Sequence, residues 1–344
     1  MATIGNSFRG IIDHYASTNR NGDVIPAIEA LHRLNPLMQD AHVVSCNDGS
    51  GHISRIRTGL GDVAWGQLYK GIIQSKGTSM QVRDTTGFVE RLATIDTRYL
   101  EKVKNPAAER ADEANVALEA IAQDVQVNFF YADTATTPER FKGVAARYNS
   151  ISNGGAAASQ IVDGGGTGSD NTSIWMLGWG PSGTSLITPE GSTAGIQRKD
   201  MGVQRVYDEL QRPYFAKEEY FRQDVGVKVS DWRQNVRIAN ISISAVRAGT
   251  VDIFGLLRRG YYKMQNRRST LIQNQDGNAT GIKPVIYMNR DLLEALDSLS
   301  TNSGASDNKI RLMPEELAGK EIKGYREMPI RETDALINAE QRVL

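Results

Sequence analysis

The feature that most limits what this chain can fold into is one uninterrupted helical segment. From Pro106 to Tyr131 no residue breaks a helix, and Asn105 and Pro106 are suited to its N-cap and first helical position. At 1.5 Å per residue such a helix would be roughly 36 Å long. Its apolar residues recur at steps of three and four, which predicts a buried structural spine: Ala107, Ala111, Ala114, Leu118, Ile121, Val125 and Phe129.

The residues before the helix are of two kinds. Residues 42–98 are rich in glycine and basic residues, and turn residues break their short apolar stretches, so we predict an extended, strand-rich excursion with little core of its own. Residues 1–41 are predicted to form an arm with one short helix over 25–34, ending before Pro36. Such an arm is expected to pack on another element or on a neighbouring chain.

The middle of the chain favours strands. The small, glycine-rich residues 151–172 predict a long loop, and residues 173–189 return to strand character. In 214–247, Val225, Val227 and Val229 alternate with polar residues, and this stretch predicts a long antiparallel hairpin.

The last hundred residues alternate between helical and strand patterns. Together with the earlier segments they predict an α+β protein. Helices are predicted over 251–264 and 290–299, and strands over 284–288, 310–312, 328–331 and 335–337.

The charge, the cysteine content and the lack of long apolar runs argue against several classes of protein. Lys plus Arg and Asp plus Glu both number 40, so there is no basic excess of the kind that a dedicated nucleic-acid binder uses. Cys46 is the single cysteine, so no intrachain disulfide can form. The first 20 residues have no apolar core of a signal peptide, and no run of about 18 apolar residues predicts a membrane span.

No motif predicts an enzyme, a cofactor site or a metal site. The glycine run around Gly164 to Gly168 continues as Ser169-Asp170 and lacks the lysine of a phosphate-binding loop. The four histidines, all within the first 52 residues, include no pair with helical metal-site spacing. Trp175, Trp179 and Trp232 are interpreted as core or subunit-contact residues.

The order of elements resembles that of a known family. The run from Glu109 to Gly143, with Asn-Phe-Phe-Tyr followed by Pro-Glu-Arg-Phe-Lys-Gly, resembles the passage through the spine helix of major capsid proteins of tailed bacteriophages. Residues 225–241 (VGVKVSDWRQNVRIANI) and 324–343 (GYREMPIRETDALINAEQRV) look like the hairpin and closing strands of capsid proteins from some short-tailed phages. These proteins share one capsid fold with herpesvirus shells.

The resemblance implies a division of the chain, with each range written in the present numbering. The parts are an N-terminal arm (1–41), an extended loop lying over a neighbouring subunit (42–98), a mainly peripheral domain with the spine helix and β-hairpin (99–250), a mainly axial domain (251–320) and closing strands (321–344).

The implied function is self-assembly of pentamers and hexamers into an icosahedral shell around double-stranded DNA. The chain would be part of the virion capsid, assembled in the host bacterial cytoplasm, with scaffolding, portal and decoration proteins as further partners. Contact with packaged DNA would be weak and non-specific, and no membrane is involved. Candidate assembly contacts are Arg55, Arg57, Arg83, Ala107, Ala111, Ala114 and Trp232.

Three alternatives stay open at this point. A nanocompartment shell protein of the encapsulin type would share the fold but enclose an enzyme cargo. Another phage structural protein, such as a tail-tube protein, would form helical tubes. An unrecognised hydrolase or transferase is the third alternative, which the absence of a clustered His, Cys and acid signature disfavours.

Overall fold

The computed structural model describes residues 36–344 except 72–73, 154, 193, 209, 269, 271, 274–278, 303–312 and 318–319. The described helices are α1 (Leu37–Asp40), α2 (Thr97–Leu100), α3 (Pro106–Tyr131), α4 (Ile243–Arg247), α5 (Ile253–Lys263) and α6 (Arg290–Asn302). The strands are β1 (Val43–Ser45), β2 (Gly51–Gly59), β3 (Thr78–Asp96), β4 (Ile161–Asp163), β5 (Asn171–Trp179), β6 (Thr184–Thr188), β7 (Gln197–Tyr207), β8 (Pro213–Val229), β9 (Asn235–Ser242), β10 (Ile272–Gln273), β11 (Ala279–Thr280), β12 (Lys283–Met288), β13 (Met313–Leu317), β14 (Lys320–Tyr325) and β15 (Met328–Glu332). The mixture confirms the predicted α+β class.

The chain divides into two compact units. Among the described residues, the first unit contains 88–125 and 194–224, and the second contains 36–87, 126–192 and 225–344. These bounds differ from the predicted ranges, because both units are built from separate stretches of sequence. The assignment of peripheral and axial domains therefore stays a prediction.

The predicted spine helix is confirmed at both ends. The Asn105 side chain accepts a hydrogen bond from the Ala108 amide (3.2 Å) and so caps the first turn, where Pro106 needs no amide partner. In the second unit, the last turn of α3 packs on the central strands. Phe129 stacks on Trp179 with ring centroids 5.5 Å apart, and Phe130 lies 6.3 Å from Trp175.

The second unit is organised around β5, all of whose residues are buried. Strands β9 and β12 flank β5 and both run antiparallel to it, while β15 pairs parallel with β12. A buried strand of this kind is expected to be apolar on both faces, as Ile174, Met176 and Leu177 are. Helices α5 and α6 contribute Leu257 and other apolar residues to the same core.

The first unit contains α2, most of α3 and a β-hairpin. Strands β7 and β8 pair antiparallel from Gln197↔Arg222 to Tyr207↔Pro213. Asp208 closes the turn between them, because its side chain accepts hydrogen bonds from the amides of Leu210 (3.0 Å) and Arg212 (2.8 Å).

This pairing corrects the predicted hairpin over 214–247. Both of its segments are largely strands, but β8 pairs with β7 and β6, whereas β9 pairs with β4 and β5. Asp231 caps a short 3₁₀ helix, Trp232–Gln234, which separates the two strands, and residues 243–247 are helical. The Val225, Val227 and Val229 pattern predicts a strand correctly but carries no information about its partner.

Two smaller predictions are also corrected. The predicted loop 151–172 contains a 3₁₀ helix, Gly155–Gln160, and strand β4. Residues 335–337 form a turn, although Ala335 and Leu336 are buried like strand residues. The predicted helix over 25–34 and strand over 310–312 lie outside the described residues.

Candidate assembly surfaces

The excursion is a hairpin of β2 and the first part of β3, with its three predicted arginines on one face. Ile53 lies opposite Arg83, Arg55 opposite Gln81 and Arg57 opposite Ser79. Directly opposed residues of an antiparallel pair share a face, and every second residue returns to it. Arg55, Arg57 and Arg83 therefore form one basic face.

The other face of the same hairpin is apolar toward its end. Ile56 lies opposite Met80, and Ser54 lies opposite Val82. The side chain of Met80 is 53% exposed, so none of the described residues covers it fully. Because side chains alternate between the two faces along each strand, one face of the hairpin carries the arginines and the other carries the apolar side chains.

The described part of 60–77, which we call the excursion tip, has no regular secondary structure. It exposes five large apolar or aromatic side chains, and Trp65 is as open as in an extended peptide, at 101%. Single exposed apolar residues are ordinary, but a cluster of this size marks an interaction surface. Its members are Leu60, Val63, Trp65, Leu68 and Tyr69.

The root of the excursion is anchored. Arg147 Nη1 lies 2.8 Å from the buried carboxylate of Asp84, which also accepts a hydrogen bond from the Val229 amide (3.3 Å). At Gly226 a Cβ atom would lie 2.7 Å from the carbonyl oxygen of Thr85, so only glycine permits this approach of β8 to β3. The excursion therefore begins from a fixed base and ends in an uncovered tip.

Two of the three arginines have partners within the hairpin region. Arg83 forms an ion pair with Asp48 (2.8 Å), and both side chains are exposed. Arg55 Nε donates to Ser79 Oγ (2.8 Å). Arg55 and Arg57 also line a shallow cleft of about 370 Å³ together with Leu60. The arrangement leaves the basic face open to solvent.

The other predicted assembly contacts lie partly on the surface and partly in the interior of the chain. Ala107 and Ala111 are exposed on the first turns of α3, whereas Ala114 is 3% exposed and already packed within the chain. Trp232 is half-buried, and its carbonyl oxygen accepts a hydrogen bond from the Tyr148 hydroxyl (2.8 Å). That the exposed alanines and Trp232 contact other copies therefore stays a prediction.

A second exposed apolar patch lies near the turn of the β7–β8 hairpin in the first unit. Val203, Phe215 and Tyr207 share one face of the hairpin, and Leu210 lies in the turn. All four side chains are exposed. The segment 197–207 mixes charged and apolar residues without clean alternation, so no local pattern predicts its strand.

Asp40, also missed, anchors the chain where it enters the excursion. Its carboxylate is 1% exposed and lies 2.7 Å from Lys283 Nζ and 2.9 Å from Arg331 Nε. The Tyr287 hydroxyl is 3.4 Å away. Burial alone would raise the pKa of Asp40, but hydrogen bonds from Arg331 and Lys283 outweigh it, so the pKa lies below its ordinary value.

No local signal could have identified Asp40, because its partners lie 243 and 291 residues further along the chain.

Among the described residues, no group of three or more His, Cys, Asp or Glu is placed to hold a metal ion. Within the same part of the chain, no helix combines the length and apolar character that crossing a membrane requires.

Comparison with known proteins gives one match over most of the sequence. The family model of major capsid protein GP7 matches residues 19–344. No curated protein sequence matches the chain significantly.

Among solved structures, a capsid chain of bacteriophage Epsilon15 superposes with a TM-score of 0.76 and 26% identity, covering 100% of this chain and 99% of that one. The capsid of bacteriophage JBD30 gives a TM-score of 0.44 and 11% identity, covering 96% of both chains. The SrpI encapsulin of Synechococcus elongatus gives 0.44 and 9%, covering 69% of this chain and 96% of that one. By its family match and its fold, this chain belongs to the GP7 family of major capsid proteins, the shell-forming proteins of tailed bacteriophages.

Proposed function

We propose that copies of this chain close into an icosahedral shell of pentamers and hexamers around double-stranded DNA, and that the excursion docks each copy onto its neighbour. The observation that carries this proposal is the excursion tip, where five large apolar side chains are exposed at the end of an anchored hairpin. A protein that remained a monomer would gain nothing from keeping this surface in water.

Burial of the tip would contribute favourable free energy to assembly. Full burial of one large apolar side chain stabilises a complex by about 1.5 to 3 kcal/mol. Burying Trp65, Leu68 and their neighbours therefore contributes several times that amount, before the cost of ordering the segment. The tip becomes covered only on assembly, so the apparent stability of the chain rises when it joins a shell.

The basic face supplies orientation more than affinity. Arg55 and Arg57 are exposed, so their ion pairs with a neighbour would be worth about 1 kcal/mol or less each. Complementary charge still steers association and penalises wrong registers. We propose that this face lies on acidic surface of the next copy, while the apolar face and the tip bury against it.

Residues 1–41 are proposed to act as the arm, and the patch around Val203 and Phe215 as a second contact with other copies. Both would make heterologous contacts, in which different surfaces of two copies meet and rings close. Assembly is proposed to take place in the host cytoplasm, before the shell becomes the capsid of the virion.

The proposal is tested by reversing Arg55 and Arg57 to Glu together and imaging the product by negative-stain electron microscopy. The matched control reverses Arg98 and Arg247, which are also exposed but are paired with Asp96 and Asp291. We expect fewer closed shells from the excursion variant and unchanged yield from the control. Equal shell yield from both variants would overturn the role of the basic face.

The unaltered chain is expressed alone and with its neighbouring genes in the same experiment. Closed shells or flat hexameric lattices support the proposed assembly, and a requirement for a neighbouring gene identifies a scaffold. Helical tubes would instead indicate a tail-tube function, and closed shells that carry an enzyme but no DNA would indicate a nanocompartment. Dispersed monomers in both preparations would refute assembly as the function.

A further inference from the structure

A cleft at the end of α5 in the second unit combines arginines with tyrosine rings. It has a volume of about 560 Å³. Its lining includes the last residues of α5, the segment after it and the β14–β15 turn, with the aromatic and basic side chains of Tyr261, Tyr262, Arg267, Arg268 and Arg326. None of its lining residues belongs to the excursion or to the β7–β8 hairpin.

Two guanidinium groups lie over the same pair of tyrosine rings. The guanidinium carbon of Arg326 is 5.2 Å from the ring centroid of Tyr261 and 5.4 Å from that of Tyr262. The corresponding distances of Arg267 are 5.8 and 5.2 Å. Arg326 Nη1 also donates to the Tyr262 hydroxyl (3.0 Å). The rings thus hold both cations in fixed positions at one place on the surface.

The turn that carries Arg326 has an unusual sequence for its geometry. Arg326 and Glu327 both have positive φ angles, +48° and +71°. A two-residue hairpin turn of this type favours Asn-Gly, because other side chains are strained there. The strain of placing Arg326 there is offset by its contacts with the rings of Tyr261 and Tyr262.

The positive charge of the cleft is poorly compensated. Arg268 adds a third guanidinium, and its contact with Glu327 is long (3.9 Å) between two largely exposed side chains, so it neutralises little. The hydrogen bond from Arg326, together with its charge, lowers the pKa of Tyr262, as expected beside clustered cations. Among the residues described around the cleft, three guanidiniums and the distant Glu327 carboxylate leave a local positive excess, on a chain whose formal net charge is zero.

We propose that this cleft is a binding site for the phosphate backbone of nucleic acid. A phosphodiester chain presents one negative charge per nucleotide at regular spacing, which suits several guanidiniums held side by side. Arginine forks match phosphate oxygens in a bidentate manner, and they do so without reading the base sequence. Since the chain as a whole is neutral, binding is local, independent of sequence and sensitive to salt.

The inference rests on the proposed function in one respect, namely that DNA is the polyanion enclosed by the shell. Its test uses the full-length chain before assembly and a short, fluorescently labelled DNA duplex, with binding followed by anisotropy between about 50 and 200 mM salt. The test variant is Arg267→Gln with Arg326→Gln. The matched control is Arg98→Gln with Arg247→Gln, which removes the same charge from exposed positions outside the cleft.

We expect the cleft variant to lose about tenfold or more in affinity at the lower salt concentration and the magnitude of its salt slope to fall by about 1.8, since each lost phosphate contact accounts for about 0.9. The control is expected to bind like the unaltered chain. Tyr262→Phe, which keeps the ring and removes only the hydroxyl, should stay within about threefold of it.

Equal affinity of the cleft variant and the control would overturn the assignment. So would equal competition by polyglutamate of matched charge, because the cleft would then recognise negative charge in general and not a phosphate backbone. Far-ultraviolet circular dichroism and the melting temperature of each variant establish that the fold is intact. Shell formation is scored separately by electron microscopy, so a variant that assembles and still binds DNA refutes this site alone, whereas failure of the unaltered chain to assemble refutes the proposed function.

Discussion

The central strands and the excursion tip belong to the same compact unit, yet they treat apolar side chains in opposite ways. On β5 and the end of α3, Trp175, Trp179 and Phe129 have no exposed surface, and the Trp179 indole donates to the Tyr287 hydroxyl (2.9 Å). At the tip, Trp65 and Tyr69 are fully open. The first region is buried within one chain, whereas the second exposes the same kind of side chain, and we propose that another copy covers it.

The comparison separates the residues that we expect to stabilise the single chain from those that we propose for assembly. Removing a side chain from the core is expected to lower the free energy of unfolding of a single chain. Removing one from the tip is expected to leave that free energy unchanged and to lower the yield of shells.

The largest effect is expected at the buried ion pair that ties down the C-terminal segment. Arg237 Nη2 lies 2.8 Å from Glu340, and the same carboxylate accepts hydrogen bonds from the hydroxyls of Tyr131 and Ser173. Glu340→Ala leaves a buried guanidinium without its counter-charge, so we expect a loss of about 3 to 5 kcal/mol in the free energy of unfolding, measured by denaturant titration. A loss below about 1 kcal/mol would contradict this account.

A similar loss is expected from Phe129→Ala, which removes a ring stacked on Trp179. Deleting a buried phenylalanine side chain costs about 3 to 5 kcal/mol, because transfer energy is lost and a cavity remains. The matched change at the tip is Trp65→Ala, for which we expect a change within about 0.5 kcal/mol. Comparable destabilisation of both variants would show that the tip packs within its own chain.

The Asp40 anchor is expected to be pH-dependent. Its pKa is lowered in the folded chain, so its contribution is complete above the unfolded carboxyl pKa of about 3.9 and is lost as the pH falls through the lower folded value. Asp40→Asn should cost about 3 kcal/mol at pH 7, the low end for a buried pair, because Lys283 and Arg331 keep some contact with water.

The pH prediction is checked by measuring unfolding free energies of both proteins from pH 7 to pH 3. The difference between the unaltered chain and Asp40→Asn should shrink below about pH 4. A constant difference across this range would contradict the role of the ionised carboxylate.

The smallest effect is expected for the exposed ion pair at the root of the basic face. Arg83→Gln removes the contact with Asp48, and exposed pairs of this kind contribute about 0 to 1 kcal/mol. We therefore expect a barely measurable change in single-chain unfolding. A loss above about 2 kcal/mol would mean that Arg83 serves folding more than assembly.

The same contrast explains which parts of the structure could be predicted from the sequence. The helix Pro106–Tyr131 was predicted at both ends, because its cap, its proline and its apolar stripe are local signals. Strand β12 and helices α5 and α6 were predicted to within a few residues for the same reason. The basic composition of the excursion was visible, but the single face of Arg55, Arg57 and Arg83 depends on the register of two strands.

What could not be predicted depends on partners far apart in the chain. The strand pattern from Val225 to Val229 is correct, but these residues pair with β6 instead of the following strand, while the earlier part of β8 pairs with β7. Ala335 and Leu336 have a strand-like composition because they fill core positions, although they lie in a turn. Asp40 lies in a short helical turn, and only the folded chain brings Lys283 and Arg331 to it.

The central claim, that the excursion tip is covered by another copy, is tested most directly by thiol labelling. Gly66→Cys in a Cys46→Ser background gives one reporter thiol at a position where a Cβ atom has no neighbour within 4 Å, and the native Cys46 is buried. The rate of maleimide labelling is compared between unassembled chains and closed shells, with denatured shells as the control for reagent access. We predict fast labelling of unassembled chains and denatured shells and at least about tenfold slower labelling of intact shells. Equal rates in unassembled chains and intact shells would contradict the claim that assembly covers the tip.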